Sequence, residues 1–310
     1  MSIFDVKFDT LDVRLNVPIW ETVSPYELKY KAMKSIINMV ETHGKLILGY
    51  SGGMDSGFIL CCVKDLLQNN LIYENQIEIA SARYLINGEV ATLDFDRSQR
   101  FAKSLGFNPR IDDLELDEKF LLECMEWGAR WKIPDVVSLT QILWRMRQPH
   151  VVIKGVATPG YGYSRDMNPM KYLLRMTSSK MSHHIPENNS IDIWDYDSDV
   201  FSALCSPYWL KKRDIDYEPF ENKYPGNPFN PIAFNERLPK IMLILQCYPE
   251  LTALFFKFST FNNFFLPPIL REAIKYYNSK FPMEECTTNV CLPNGKSFYS
   301  LKEVEDYFVS

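Results

Sequence analysis

No Cys-x-x-Cys pair occurs in these 310 residues, which excludes the zinc-ribbon and common iron–sulfur spacings. The seven cysteines are odd in number and irregularly spaced. They read as reduced thiols of a cytosolic protein, not as a disulfide framework. No stretch approaches the roughly 18 uninterrupted apolar residues of a membrane span. The opening Met1-Ser2-Ile3-Phe4-Asp5 lacks the basic and apolar regions of a signal peptide, so a cytoplasmic location is expected. Positive charge is short as well. At a formal net charge of −5 no overall field gathers nucleic acid, which disfavours RNA or DNA without excluding a local basic face. No internal repeat or low-complexity tract is present.

What is there suits a folded globular chain. Hydrophobic residues make up 46% and charged residues 24%, enough to bury a full core. The length lies between one large domain and two small ones. Residues 3–20 alternate loosely between apolar and polar and read as a strand or hairpin lead-in, here 1–23. Ser24-Pro25-Tyr26-Glu27 announces a helix with a capping box, and Gly44 closes it. Leu46-Ile47-Leu48-Gly49-Tyr50 has no polar alternation, as expected of a strand buried on both faces of a parallel sheet. A helix that is apolar on most sides follows from Phe58 to Leu67. Further strands are expected at Ile77–Ala82, Arg110–Leu116 and His150–Gly155, the Arg110 strand nearer an edge because it is more polar. Helices are expected at Phe95–Leu105 and around 117–131 and 138–147.

This alternation predicts an α/β fold with an open parallel sheet and flanking helices over 24–165. Past that point the chain turns rich in Tyr, Pro, Asn and Ser. Helical patterns resume near 234–247, 249–258 and 268–280, then a turn at Pro293-Asn294-Gly295-Lys296 precedes a helix from Ser300. Residues 166–310 therefore read as a second, loop-rich and then mainly helical region.

Between the buried strand and the apolar helix stands Ser51-Gly52-Gly53-Met54-Asp55-Ser56. Two glycines let the backbone turn sharply and bring its N–H groups close to an anion. Ser56 opens a helix whose N-terminal dipole favours negative charge. Ser51 and Ser56 add hydroxyl donors, and Asp55 beside an anion makes sense once Mg²⁺ bridges carboxylate and phosphates. The Walker spacing and its lysine are absent.

Gly49-Tyr50-Ser51-Gly52-Gly53-Met54-Asp55-Ser56 resembles the pyrophosphate loop of the PP-loop ATP pyrophosphatase superfamily. That group includes asparagine, GMP and NAD synthetases, tRNA-thiolating enzymes and phosphoadenylyl-sulfate reductases. The resemblance covers roughly residues 28–160 and implies an adenine nucleotide alpha-hydrolase-like fold. It places adenine at the end of the second strand, around Ser81-Ala82-Arg83, and makes the fourth-strand end, Lys154-Gly155-Val156, line the same cleft. The implied cofactors are ATP and Mg²⁺, and the implied reaction is attack of a substrate oxygen on the α-phosphate with release of pyrophosphate. A nitrogen or sulfur nucleophile then displaces the adenylate, so a separate ammonia or sulfur donor is a possible partner beside the small-molecule substrate.

Asp55, Lys154 and Asp166 are thus the catalytic candidates, with Asp55 as the metal ligand. Ser51, Gly52, Gly53, Asp55, Ser56, Ser81, Ala82 and Gly155 are the nucleotide-binding ones. The run Gly155–Tyr163 echoes the glycines and tyrosines of asparagine synthetases but not their acids, and Asp166 is the next carboxylate. Ser2 stands where those synthetases carry a glutaminase cysteine. Three readings stay open: an AMP-forming, amidotransferase-like ligase, a sulfonucleotide reductase echoed by Glu285-Cys286, and a nucleotide binder without catalysis. His183-His184 points to opposite faces of an extended chain and suits a metal poorly. The aromatic stretch from Phe255 to Phe265 suits core packing or a homo-oligomer interface.

Overall fold

The computed structural model describes residues 15–18, 24–90, 95–131, 136–155, 189–193, 238–254, 288–291 and 297–298. Helix α1 (Pro25–His43) starts where its sequence says it should. The Ser24 hydroxyl accepts from the Glu27 N–H at 3.2 Å, and the Glu27 carboxylate accepts from the Ser24 N–H at 2.7 Å. Those hydrogen bonds hold the Glu27 carboxyl below its usual range. Leu28, Ala32, Ile36, Met39 and Val40 form its buried stripe.

The strands are β1 (Leu15–Pro18), β2 (Leu46–Gly49), β3 (Ile77–Ile86), β4 (Glu89–Val90), β5 (Arg110–Glu115), β6 (Val151–Lys154), β7 (Ser190–Asp192), β8 (Thr288–Cys291) and β9 (Ser297–Phe298). β5, β3, β2, β6 and β7 lie side by side in that order, all parallel. β4 pairs antiparallel with the far end of β3 across the Asn87-Gly88 turn, where both residues have positive φ. The fold is therefore α/β, a mostly parallel sheet flanked by helices, and β5 takes the outer position its polarity suggested. β1 and β8 pair in parallel and β9 joins β8 antiparallel, in a separate three-stranded sheet.

The chain winds from β2 outward through β3 to β5, then returns to the other side of β2 for β6 and β7. The order reverses between β2 and β6, and open α/β sheets bind ligands at the carboxyl ends of the strands flanking such a reversal.

Helices cover both faces. On one, α1, α2 (Met54–Gln68), α3 (Phe95–Ser104) and α6 (Leu238–Cys247) share a core with Leu46, Leu48, Ile77, Ile79 and Ile153. On the other, α4 (Glu118–Trp131) and α5 (Val136–Met146) pack against Ile47, Ala80, Val152, Tyr84 and Ile86. Residues 58–63 of α2 are consecutive and all buried, because α1, the sheet, α6 and the 3₁₀ turn Pro249–Leu254 surround them. Segments beyond residue 165 thus complete both sheet and core. Tyr248, which follows α6, donates to Asp65 at 2.8 Å while Lys29 pairs with the same carboxylate at 2.6 Å.

Cys61, Cys62, Cys124 and Cys247 are free thiols. Burial pushes Cys61 and Cys124 up to about 12 from an ordinary value near 9. Above pH 9 the unfolded chain therefore holds fewer protons than the native one, so this contribution to stability is complete below pH 9 and lost progressively toward pH 12. We expect about 1 kcal/mol lost per buried thiol by pH 10. Urea unfolding at pH 8 and pH 10 checks this: Cys124→Ala should lose less stability over that interval than the wild type, and an equal loss would disprove the assignment.

Among the described residues no helix is long and apolar enough to cross a membrane.

Candidate functional site

The loop after β2 leaves the sheet beside the β2–β6 reversal. Tyr50 continues the pairing one step past β2, its N–H donating to the Ala80 carbonyl at 2.8 Å. Its phenol, fully buried, donates to the Ser98 carbonyl on α3 at 3.0 Å. Burial raises that phenol's pKa, so it stays protonated and keeps donating. Gly52 then turns at φ +70°, and a Cβ there would lie 2.1 Å from the Ser98 Cβ. The turn is possible because position 52 has no side chain and α3 stands directly against it.

Gly53 is the N-cap of α2 and, having no side chain, makes no side-chain cap hydrogen bond. The loop is instead tied by Ser56. Its buried hydroxyl donates to the Gly53 carbonyl at 3.2 Å and accepts from the Ser51 N–H at 3.3 Å. Ser51 Oγ lies 3.2 Å from Ser56 Oγ. Asp55 stands in the first turn of α2, half-buried. The five residues expected to bind phosphate are thus brought together, with Ser56 acting first as the tie that holds the loop in shape.

Ser81 joins the same cluster from β3. Its hydroxyl donates to the Tyr50 carbonyl at 2.8 Å and accepts from Gln99 Nε2 at 3.2 Å. One expectation needs correction here. Ser81, Ala82 and Arg83 lie within β3, not at its end, because β3 runs past β2 to pair with β5 over Ala80–Leu85 and with β4 beyond. They do lie just past the last β2–β3 pair, Gly49↔Ala80. Ala82 packs into the face covered by α5, and Arg83 is held by Asp113 at 2.5 Å.

No family model and no curated protein matches the chain. Among solved structures it is similar to NAD+ synthetase from Burkholderia pseudomallei. The identity is 10% and the TM-score 0.35, over 84% of this chain and 90% of that one. At that distance the likeness decides nothing about activity.

Lys154 ends β6 one residue beyond the Leu48↔Ile153 pair, level with Gly49, and buried Gly155 follows it. Its ammonium lies 3.8 Å from the Asp192 carboxylate at the end of β7. Asp192 is absent from the sequence-based candidates. The alternating run Ser190-Ile191-Asp192-Ile193 was its signal, but three paired residues are too few for periodicity to single out a strand. Arg145 on α5 is also buried and feels the Asp192 charge; burial draws its pKa down to about 10, so it stays charged at neutral pH. Tyr50, Ser98 and Gln99, which hold the loop, were missed too, since only the approach of α3 gives them that role. Asp166, the Val156–Tyr163 run, His183-His184, the Phe255–Phe265 stretch and Cys286 lie outside the described residues.

Proposed function

We propose that the chain binds Mg-ATP at Ser51–Ser56 and cleaves it between the α- and β-phosphates, adenylating a carboxylate or carbonyl oxygen of a small molecule. The observation that supports this most directly is the join of Gly52 and Gly53 to the start of α2, whose N-cap Gly53 makes no side-chain cap hydrogen bond, at the C-terminal end of β2 beside the reversal point. Backbone N–H groups in a glycine turn and the helix dipole both favour a pyrophosphate leaving group there. Asp55 would hold magnesium. Among the described residues no group of three or more His, Cys, Asp or Glu side chains could bind a metal. One carboxylate together with nucleotide phosphates and water is the usual magnesium arrangement. Bound there, the ion would neutralise charge building on the pyrophosphate.

The residues' own tasks follow from their places. Gly52 and Gly53 admit the phosphates, Ser56 and Tyr50 keep the turn in shape, and Lys154 adds a positive charge from the neighbouring strand. The nitrogen or sulfur nucleophile that attacks the adenylated acceptor and displaces AMP comes from outside this site, either free or from a donor protein. The test is incubation with ATP, Mg²⁺ and a mixture of small carboxylates and amides with ammonium, followed by analysis of the nucleotide products. AMP and pyrophosphate are expected; ADP and phosphate would defeat the proposal.

A further inference from the structure

A glycine inside a helix weakens it, because folding then costs the most backbone freedom and no side chain packs in return. Helix α2 carries one near its start, the buried Gly57. Its surroundings give the reason. A Cβ there would lie 2.6 Å from Leu254 Cδ1 and 2.9 Å from Leu251 Cδ2. At three residues per turn, the 3₁₀ turn Pro249–Leu254 puts those two leucines on one face, and both are fully buried. Glycine at position 57 lets that face close onto the backbone of α2.

The contact falls where α2 meets the phosphate loop. The Gly57 N–H donates to the Gly53 carbonyl at 2.8 Å, and the Ser56 hydroxyl donates to the same carbonyl at 3.2 Å. Gly53 is thus held from Gly57, one helical turn on. The 3₁₀ turn also lies against α3, whose Ser98 meets Gly52 and accepts the Tyr50 hydrogen bond. It therefore touches both helices that hold Ser51–Ser56. Its own place is set where it begins. There Tyr248 donates to Asp65 at 2.8 Å and meets the Phe58 ring edge-on, with centroids 5.6 Å apart.

We propose that Leu251 and Leu254 are positioning residues that brace Gly57, and through it Gly53, so that the loop Ser51–Ser56 keeps the shape that receives the nucleotide's phosphates. This rests on the nucleotide reading of that loop. Neither leucine touches the nucleotide, and both act through the start of α2.

The test measures Mg-ATP affinity, well below each melting temperature, for Leu254→Ala, Gly57→Ala, the two combined, and Ile36→Ala. Ile36 is fully buried in the same core but stands on α1, so its truncation reports what a cavity alone does. Leu254→Ala should weaken Mg-ATP by about tenfold and Ile36→Ala by less than about twofold. Gly57→Ala should also weaken it by about tenfold, because its methyl meets the tips of enclosed leucines. In the double variant that methyl enters space the leucine has left, so affinity should be higher than in either single variant. Equal losses in Leu254→Ala and Ile36→Ala, or a double variant that binds no better than the singles, would assign the leucines to the fold alone and overturn the proposal. Wild-type affinity in Leu254→Ala overturns it as well. If the wild type does not bind Mg-ATP, the nucleotide reading fails first and takes this one with it. Should an alanine variant lose its cooperative melt, Leu254→Val and Ile36→Val remove less. Leu254→Val should still weaken Mg-ATP by about threefold and Ile36→Val should not, and no difference between them would overturn the assignment.

Discussion

Replacing Gly52 by alanine should lower Mg-ATP affinity by about 100-fold or more, equivalent to nearly 3 kcal/mol. Two costs combine at this position. A residue with a Cβ is strained at φ +70°, by about 1–2 kcal/mol. The new methyl would also start 2.1 Å from the Ser98 Cβ, with the Ser98 Cα at 3.3 Å, so it meets α3 itself and not the movable tip of a long side chain. Either α3 withdraws or the loop swings outward, and the second carries the Gly53 backbone away from the phosphates and strains the Ser51–Ser56 tie. The two costs can be separated. Ser98→Gly removes the Cβ that is struck and should bring Gly52→Ala back to within about tenfold of wild type, leaving the backbone strain. Calorimetric titration with Mg-ATP, alongside a thermal melt, reads both effects. Wild-type affinity in Gly52→Ala would show that the turn does not set the phosphate site.

Replacing Asp55 by asparagine should abolish the magnesium dependence of ATP binding and reduce turnover by about 100-fold or more. Asparagine keeps the shape and removes the charge. With magnesium present, the carboxylate attracts the ion that neutralises the phosphates. Without it, the same carboxylate repels them across the first turn of α2. The sign of the effect therefore reverses with the metal. Asp55→Asn should bind ATP more weakly than wild type in excess Mg²⁺ and more tightly in EDTA. Helix stability should fall by less than about 1 kcal/mol, the size of a first-turn acidic residue's favourable interaction with the dipole. Affinities measured at matched ionic strength with and without Mg²⁺ check the crossover. If the magnesium dependence of Asp55→Asn equals that of wild type, the metal is held by other groups.

Some of this is legible in the sequence. Ser24 and Glu27 form their capping box within four residues, and the helix began where they said. The apolar run 46–50 carries no polar alternation, and β2 sits in mid-sheet with a strand on each side. The four main strands were found because each is a local run of residue types, although their ends moved by one to four residues. β3 grew longest beyond expectation. Its outer half is sustained by pairing with β5 and by the Asn87-Gly88 turn to β4, which are partners and not part of its own pattern.

The loop Ser51–Ser56 was determined by sequence alone, since a strand, two glycines, an acid and a helix start follow one another within about ten residues. Chemistry carried by consecutive residues survives whatever the rest of the chain does. Tertiary structure alone decided what holds that loop. Ser98 meets Tyr50 and Gly52 from more than forty residues away, Gln99 bonds the Ser81 hydroxyl that holds the Tyr50 carbonyl, and Asp192 meets Lys154 across thirty-eight. No local pattern marks such residues, because their roles arise when the sheet reverses at β2 and β6 and draws distant segments to one edge.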